Sequence, residues 1–149
     1  MHEPRAVAQA FLIESGADFH AARVLFRNGC HARAIYLAQQ AVEKALKAAL
    51  SLKGIAPKDH NLSPIFAPLF AGAVADIDRV LAAAQALERL GARARFPLYQ
   101  RPDLPIWIPS REFGRKEAGQ ALTHCELVCR ALKTYLVEQE GLEPFPEPA

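Results

Sequence analysis

A stripe of polar side chains lies along one predicted helix and carries groups that could bind phosphate. Wound at 3.6 residues per turn, residues 33–53 present a broad alanine-rich face and, opposite it, a polar one. Lysine is a mobile point charge that suits phosphate, and glutamine can pair with a base edge or a ribose hydroxyl. The stripe therefore predicts a ligand-binding groove. Its members are Tyr36, Gln40, Glu43, Lys44 and Lys47.

Two structural explanations of this stripe stay open at the level of sequence. The side chains could form a solvated helix face, in which Glu43 and Lys47 make a favourable pair worth about 0.2–0.5 kcal/mol. Gln40 and Glu43 could instead satisfy polar groups of the following loop or of a dimer partner. Either explanation would leave the helix without a ligand of its own.

A second candidate site lies in the segment 92–109, which holds four Pro and the only Trp. Guanidinium groups bind phosphate and aromatic rings stack on bases, so this mixture fits a nucleotide or RNA contact. Alternatively, the segment is a proline-stiffened connector in which Phe96 and Trp107 fill the core, while the arginines are solvated or paired with acids. The candidate side chains are Arg93, Arg95, Phe96, Tyr99 and Arg101.

His60 is a third candidate, because it follows a proline-containing loop and precedes Leu62. An imidazole at this place could act as a general acid or base, or contact phosphate. The structural alternative, which we favour, is that His60 caps a short helix and hydrogen-bonds to backbone. No glycine-rich phosphate loop and no nucleophile–base spacing is readable elsewhere.

Cysteine usage argues against a metal centre. The chain has three Cys, and Cys125 and Cys129 lie one helical turn apart, where a core-facing helix would place small buried thiols. A zinc site needs four converging ligands, and His31, His124 and Cys30 do not supply an evident second pair. We therefore expect reduced cysteines in a cytoplasmic protein, with no metal and no cofactor.

Length and composition predict a single all-α domain. The 149 residues are 51% hydrophobic, and alanine and leucine far outnumber the β-branched residues. A net charge of +2 implies no strong field for nucleic acid or membrane. The apolar runs are too short to span a bilayer, and the first residues do not read as a signal peptide, so no membrane partner is expected.

The predicted elements form an antiparallel up-and-down four-helix bundle with a short extra helix. Asn28–Gly29, Gly54 and Gly91 are read as helix stops, and Ser110 as a start. The bundle should occupy about 4–139 within one domain, 1–149, and 140–149 should be a frayed, proline-rich tail. The predicted long helices are 4–27, 33–53, 73–90 and 111–139, with a short helical piece over 64–70.

With these residues in place, the chain resembles the HEPN domain family. The matching stretches are Gly29 to Gly54, His60 to Leu62 and Ala94 to Pro97, above all the run QQAVEKALK within the first. The resemblance implies a small helical bundle, usually a homodimer. It also implies a partner, because such proteins often sit beside a minimal nucleotidyltransferase in a two-component or toxin–antitoxin pair.

The resemblance also raises the question of catalysis. Some HEPN proteins are metal-independent ribonucleases that carry an Arg, four to six residues, and then a His on the last helix. Here Arg115 and His124 are separated by eight residues, which on a helix is roughly 13 Å of rise. Where relatives show Arg-Tyr-Pro-Asp, this chain has Arg95, Phe96 and Pro97 followed by leucine. We therefore expect no catalytic activity.

The sequence thus predicts a HEPN accessory protein that binds a nucleotide or an RNA end and pairs with a nucleotidyltransferase. The phosphate would be held near the open end of the bundle by Lys44, Lys47, Arg93 and Arg95. One alternative is a degenerate ribonuclease that uses Arg115 with His124 or His60. The other is a helical dimerisation module without a small ligand.

Overall fold

The computed structural model describes residues 1–58 and 62–144 and confirms the all-α prediction. Within these residues no β-strand occurs, and the only extended pairing is an isolated bridge between Leu98 and Trp107. No helix in the described ranges is both long and apolar enough to cross a membrane. The α-helices are α1 (Pro4–Arg27), α2 (His31–Leu52), α3 (Ser63–Phe70), α4 (Ile77–Ala94), α5 (Pro109–Glu112) and α6 (Arg115–Thr134). A π-helical turn, Tyr135–Gln139, follows α6.

The second helix, α2, is the centre of the bundle and packs against α1, α4 and α6. Its alanines let the neighbouring helices approach closely, and Ala34, Ala38, Ala41 and Ala48 are fully buried. The chain enters α2 through a tight turn in which Gly29 adopts a φ of +77°, a conformation that glycine reaches without steric cost. A helix enclosed on several sides is well placed to supply one wall of a cleft.

Helix α4 differs from its prediction in both limits. It covers Ile77–Ala94, about four residues later than predicted, and it continues through Gly91. A Cβ atom at position 91 would lie 2.6 Å from Cγ of Gln39, so the glycine allows α2 and α4 to approach each other. Gly91 is therefore a packing contact and not a helix stop. The additional turn places Arg95 at the end of α4.

The predicted last helix is divided into two. The short helix α5 ends at Glu112, and α6 begins after Gly114, whose backbone N–H donates to Oε2 of Glu117 at 3.2 Å. The beginning of the predicted tail contacts α1. Arg5 Nη1 donates to the carbonyl of Glu140 at 2.7 Å, and Gln9 exchanges two hydrogen bonds with the backbone of Glu143. Residues 145–149 lie outside the described residues.

Candidate functional site

A polar cleft lies between α2 and α4 and is bordered by the first turn of α3. Its volume is about 460 Å³, which falls within the range typical of small-molecule sites. Arginine, glutamate and glutamine side chains share its surface with small apolar groups, so it can recognise a ligand that bears both charge and hydroxyl or amide groups. The cleft is lined by Gln39, Pro64, Gln85, Glu88, Arg89, Ala92 and Arg95.

Arg95 is the cleft side chain that carries a buried donor without an acceptor. Its Nη2 donates to Oε1 of Gln39 at 3.0 Å, and its guanidinium carbon lies 5.6 Å from the ring centroid of Tyr36. Its Nε is buried and has no acceptor among the described residues. A guanidinium carries a planar fork of donors that matches phosphate or carboxylate. The site therefore holds an oriented cation with donors that an anionic ligand could accept.

Glu88 supplies the acidic group of the cleft. Its Oε1 accepts a hydrogen bond from Oγ of Ser63 at 3.2 Å, and backbone N–H groups of Leu62 and Ser63 also donate to the carboxylate. Burial raises the pKa of Glu88 most, and the nearby charge of Glu43 raises it further, although the hydrogen bonds act in the opposite direction. The carboxylate is thus held at the start of α3 in a partly desolvated place.

The cleft residues of α4 form one continuous stripe. Gln85, Glu88, Arg89, Ala92 and Arg95 follow spacings of three and four, so they share one face of the helix. The stripe extends over roughly 15 Å of helical rise. Glu88 lies one turn from Gln85 and two turns from Arg95, and Arg89 is its neighbour on the stripe. The groove therefore carries both acidic and basic groups along its length.

Two residues of the predicted α2 stripe contact the side chains that line this cleft. Gln40 Nε2 donates to Oε1 of Gln39 at 2.9 Å, the same oxygen that accepts from Arg95. The ring of Tyr36 lies against the Arg95 guanidinium. Both residues thus help to orient the cleft side chains, but neither lines the cleft itself.

The charged members of the α2 stripe lie elsewhere. Lys44 forms an ion pair with Asp18 of α1 and borders an apolar groove on that helix. Lys47 Nζ lies 3.4 Å from Oε2 of Glu43, and Glu43 is only 5% exposed. The stripe is therefore neither a solvated face nor a single groove. The expectation that both lysines share a cleft with Arg95 is wrong, because each is turned toward an acidic partner outside it.

Arg93 does not line the cleft either. Successive helical residues are about 100° apart, so side chains two positions apart point to nearly opposite sides. The guanidinium of Arg93 lies 4.0 Å from the Trp107 ring centroid, and Trp107 Nε1 donates to the Arg93 carbonyl at 2.7 Å. Arg93 thus stabilises the connector 95–108, and its predicted placement beside Arg95 is incorrect.

The aromatic residues of the connector divide between the two predicted alternatives. Phe96 and Tyr99 are 68% and 71% exposed, so Phe96 does not fill the core, while the half-buried Trp107 packs edge-on against Phe113, with ring centroids 5.6 Å apart. Arg101 forms a bidentate ion pair with Asp103 at 2.9 and 2.6 Å, as the structural alternative predicted. Arg93, Arg101 and Trp107 line a second pocket of about 460 Å³, and none of the aromatic rings of the connector borders the α2–α4 cleft.

Sequence reasoning missed six cleft residues, namely Gln39, Pro64, Gln85, Glu88, Arg89 and Ala92. The signal for Gln85, Glu88 and Arg89 was present, because the third long helix carries a polar stripe at the same spacings as the second. Gln39 was visible in the sequence run that marks the resemblance. His60, the remaining predicted site residue, lies outside the described residues.

Comparison with known proteins agrees with this architecture. The model of the HEPN domain family matches residues 8–135, which includes every helix that forms the cleft. The chain belongs to the HEPN family. A curated relative from Methanocaldococcus jannaschii, named "Putative toxin MJ1304", is 29% identical over 140 residues, covering 91% of this chain and 92% of that protein.

Two crystal structures are similar to this HEPN chain. TT1696 from Thermus thermophilus is 25% identical with a TM-score of 0.73, and the match covers 87% of this chain and 98% of that one. ST0689, an archaeal HEPN homologue, is 20% identical with a TM-score of 0.65, covering 85% of this chain and 94% of that one. The second likeness concerns the fold alone.

The residues considered for HEPN ribonuclease chemistry are not assembled around the cleft. The Arg115 guanidinium lies 5.1 Å from the Phe26 ring centroid at the start of α6, and His124 follows more than two turns later. Neither side chain lines the α2–α4 cleft. The sulfur atoms of Cys125 and Cys129 are 3.8 Å apart, and within the described ranges no three metal-ligating side chains converge.

Proposed function

We propose that this HEPN protein binds the phosphate-bearing part of a nucleotide or of an RNA end in the α2–α4 cleft. The observation that carries the proposal is the state of Arg95, which is oriented by Gln39 and Tyr36 and keeps a buried Nε–H without an acceptor. An unsatisfied buried donor costs free energy, and a shift of the guanidinium toward an incoming anion would recover it. Arg89 adds a second positive charge to the same cleft.

The remaining lining groups suit the other parts of such a ligand. Gln39 and Gln85 offer amides that can pair with base edges, and Ala92 and Pro64 provide small apolar surface. Nucleotide sites are commonly mixed in this way, with a few placed polar groups in an otherwise apolar depression. The cleft volume of about 460 Å³ is adequate for one nucleotide.

The test is calorimetric titration with ATP and with a 5′-phosphorylated oligoribonucleotide. Replacing Arg95→Ala removes the proposed phosphate ligand and should weaken binding about tenfold or more, equivalent to about 1.4 kcal/mol. Arg93→Ala is the matched control, because it removes the same charge two residues away and outside the cleft. Unchanged binding by Arg95→Ala, or an equal loss with Arg93→Ala, would contradict the proposal.

We further propose that the protein is the HEPN partner of a minimal nucleotidyltransferase in a toxin–antitoxin type system. Support comes from its family and from the name of the M. jannaschii relative, a putative toxin. The test is co-expression with a nucleotidyltransferase encoded by an adjacent reading frame. A complex that survives size-exclusion chromatography is expected, and separate elution of the two chains would count against the pairing.

A homodimer is also part of the proposal. Ile13 and Val24 of α1 are 42% and 38% exposed, and apolar surface of this kind is often covered in an oligomer. Light scattering should give a mass twice the 16.3 kDa of the single chain. A mass equal to that of one chain at micromolar concentration would contradict it.

The proposed role is non-catalytic. It is supported by the long separation of Arg115 and His124 on α6 and by their absence from the cleft. Labelled RNA incubated with the protein in the presence of a chelator should stay intact. Cleavage that disappears on His124→Ala would replace this assignment with that of a ribonuclease.

A further inference from the structure

We propose, on the basis of the proposed function, that the cleft selects ribonucleotides over deoxyribonucleotides, with Glu88 accepting hydrogen bonds from the ribose hydroxyls while Arg95 holds the phosphate. The inference goes beyond phosphate binding because it assigns a specificity-determining residue. It depends on Glu88 and Arg95 lying in the same cleft and on the same face of α4.

The spacing of the two groups fits a nucleotide. Glu88 and Arg95 are seven residues apart on α4, which is two turns and roughly 10 Å of rise. A nucleotide carries its 2′ and 3′ hydroxyls on one side of the ribose and its 5′ phosphates on the other. One ligand lying along the groove can therefore reach both groups. Gln85, one turn beyond Glu88, lies where the base would be.

The carboxylate of Glu88 is suited to bind hydroxyl donors. An ionised carboxylate only accepts hydrogen bonds, and its two oxygens offer about four lone-pair positions. Oγ of Ser63 and the backbone N–H groups of Leu62 and Ser63 use about three of them and fix the orientation of the carboxylate. Within the described ranges Glu88 makes no ion pair with lysine or arginine. About one acceptor position therefore remains, and the vicinal hydroxyls of a ribose would share it.

A purely structural role for Glu88 makes a different prediction. If the carboxylate only held the start of α3, its loss would weaken the binding of every nucleotide to the same extent. If it binds the ribose, its loss would weaken the binding of ribonucleotides alone. The ratio of the two affinities separates these cases, and a change in the stability of α3 does not alter that ratio.

The experiment measures the affinities of ATP, 2′-deoxy-ATP and 3′-deoxy-ATP for three proteins. The wild type should bind ATP about tenfold more tightly than either deoxy analogue. Glu88→Gln should reduce this preference to about twofold or less, chiefly by weakening ATP binding. Arg93→Ala is the control, because Arg93 lies outside the cleft, and it should retain the full preference for ATP.

The outcomes distinguish this inference from the proposed function. Equal affinity of the wild type for ATP and both deoxy analogues would overturn the ribose assignment while leaving phosphate binding intact. An undiminished preference in Glu88→Gln would also overturn it. If no nucleotide binds at millimolar concentration, nucleotide binding itself is excluded, and the ribose assignment is excluded with it.

Discussion

Two arginines at the end of α4 lie only two residues apart, yet they belong to different regions of the molecule. The Arg93 guanidinium lies 4.0 Å from the Trp107 ring centroid in the connector, and the Arg93 carbonyl accepts a hydrogen bond from the same indole. Arg95 faces the α2–α4 cleft, where it has one hydrogen bond, one aromatic contact and a buried Nε–H without an acceptor. The two arginines differ in burial: Arg93 is exposed, so water can accept from its donors, whereas the Nε–H of Arg95 is shielded from water.

The difference shows that residue types alone do not identify a binding site. The connector carries the more suggestive sequence, with arginines among aromatic residues, but Arg101 is paired with Asp103 and Arg93 is exposed to solvent. The bidentate pair of Arg101 and Asp103 is exposed, and it lowers the pKa of the Asp103 carboxyl. The cleft has fewer aromatic groups, but its arginine has donors still available. Unsatisfied and oriented polar groups are the better evidence for a ligand.

The largest expected effect comes from forcing the two walls of the cleft apart without changing its charge. Gly91→Ala places a Cβ 2.6 Å from Cγ and 2.8 Å from Cβ of Gln39, so α2 and α4 must separate. Overpacking should outweigh the gain in helix propensity and lower the free energy of unfolding by roughly 1–2 kcal/mol. ATP binding should weaken because Gln39 no longer orients Arg95. Urea denaturation and calorimetry measure both effects.

The matched control is Gly72→Ala. A Cβ at position 72 meets no atom within 4 Å, so stability should change by less than about 0.5 kcal/mol and binding should not change. Equal stability and affinity of Gly91→Ala and the wild type would show that the close contact between α2 and α4 does not form the site.

A smaller effect is expected from the outlying cation, Lys44. Lys44→Met keeps most of the apolar stem but removes the ion pair with Asp18, so the free energy of unfolding should fall by no more than about 1 kcal/mol. ATP affinity should stay within about twofold of the wild type, because Lys44 does not line the cleft. A tenfold loss of affinity would instead support the prediction from the sequence that Lys44 binds the ligand. Asp18→Asn is the companion variant and should give a similar loss of stability.

The smallest expected effect is a pH dependence from Glu88. Its pKa is raised in the folded state, mainly by burial, so the folded protein binds this proton more readily than the unfolded chain does. The stabilisation is present below the ordinary glutamate pKa and is lost as the pH rises through the raised value. Relative to the wild type, Glu88→Gln should therefore be more favourable at pH 7 than at pH 4. An unchanged difference between the two proteins at both pH values would contradict this.

Much of the fold could be predicted from local signals. Pro4 and the Asn28–Gly29 turn set the limits of α1, and its predicted bounds are confirmed. Gly91 was misinterpreted because a glycine ends a helix and allows close helix packing by the same property, the lack of a Cβ. Whether Gly91 ends the helix or allows close packing is decided only by the position of Gln39, which is distant in sequence.

The site was less predictable because the directions of its side chains depend on residues that are distant in sequence. The polar stripe of α2 was identified, but Asp18 on α1 determines the direction of Lys44. Arg93 and Arg95 could be assigned to opposite sides only once α4 was known to extend to residue 94. The sequence alone indicates that the α4 stripe carrying Glu88 is solvated. The positions of α2 and α3 show that this stripe is partly enclosed.

The most direct test of the account is ¹H–¹⁵N NMR of the arginine Nε–H groups during titration with ATP. Arg93→Lys and Arg95→Lys variants assign the two resonances. The account predicts that the Nε–H of Arg95 gains an acceptor, so that its resonance shifts with saturation, while that of Arg93 does not move. ATP binding that shifts Arg93 and leaves Arg95 unchanged would contradict it.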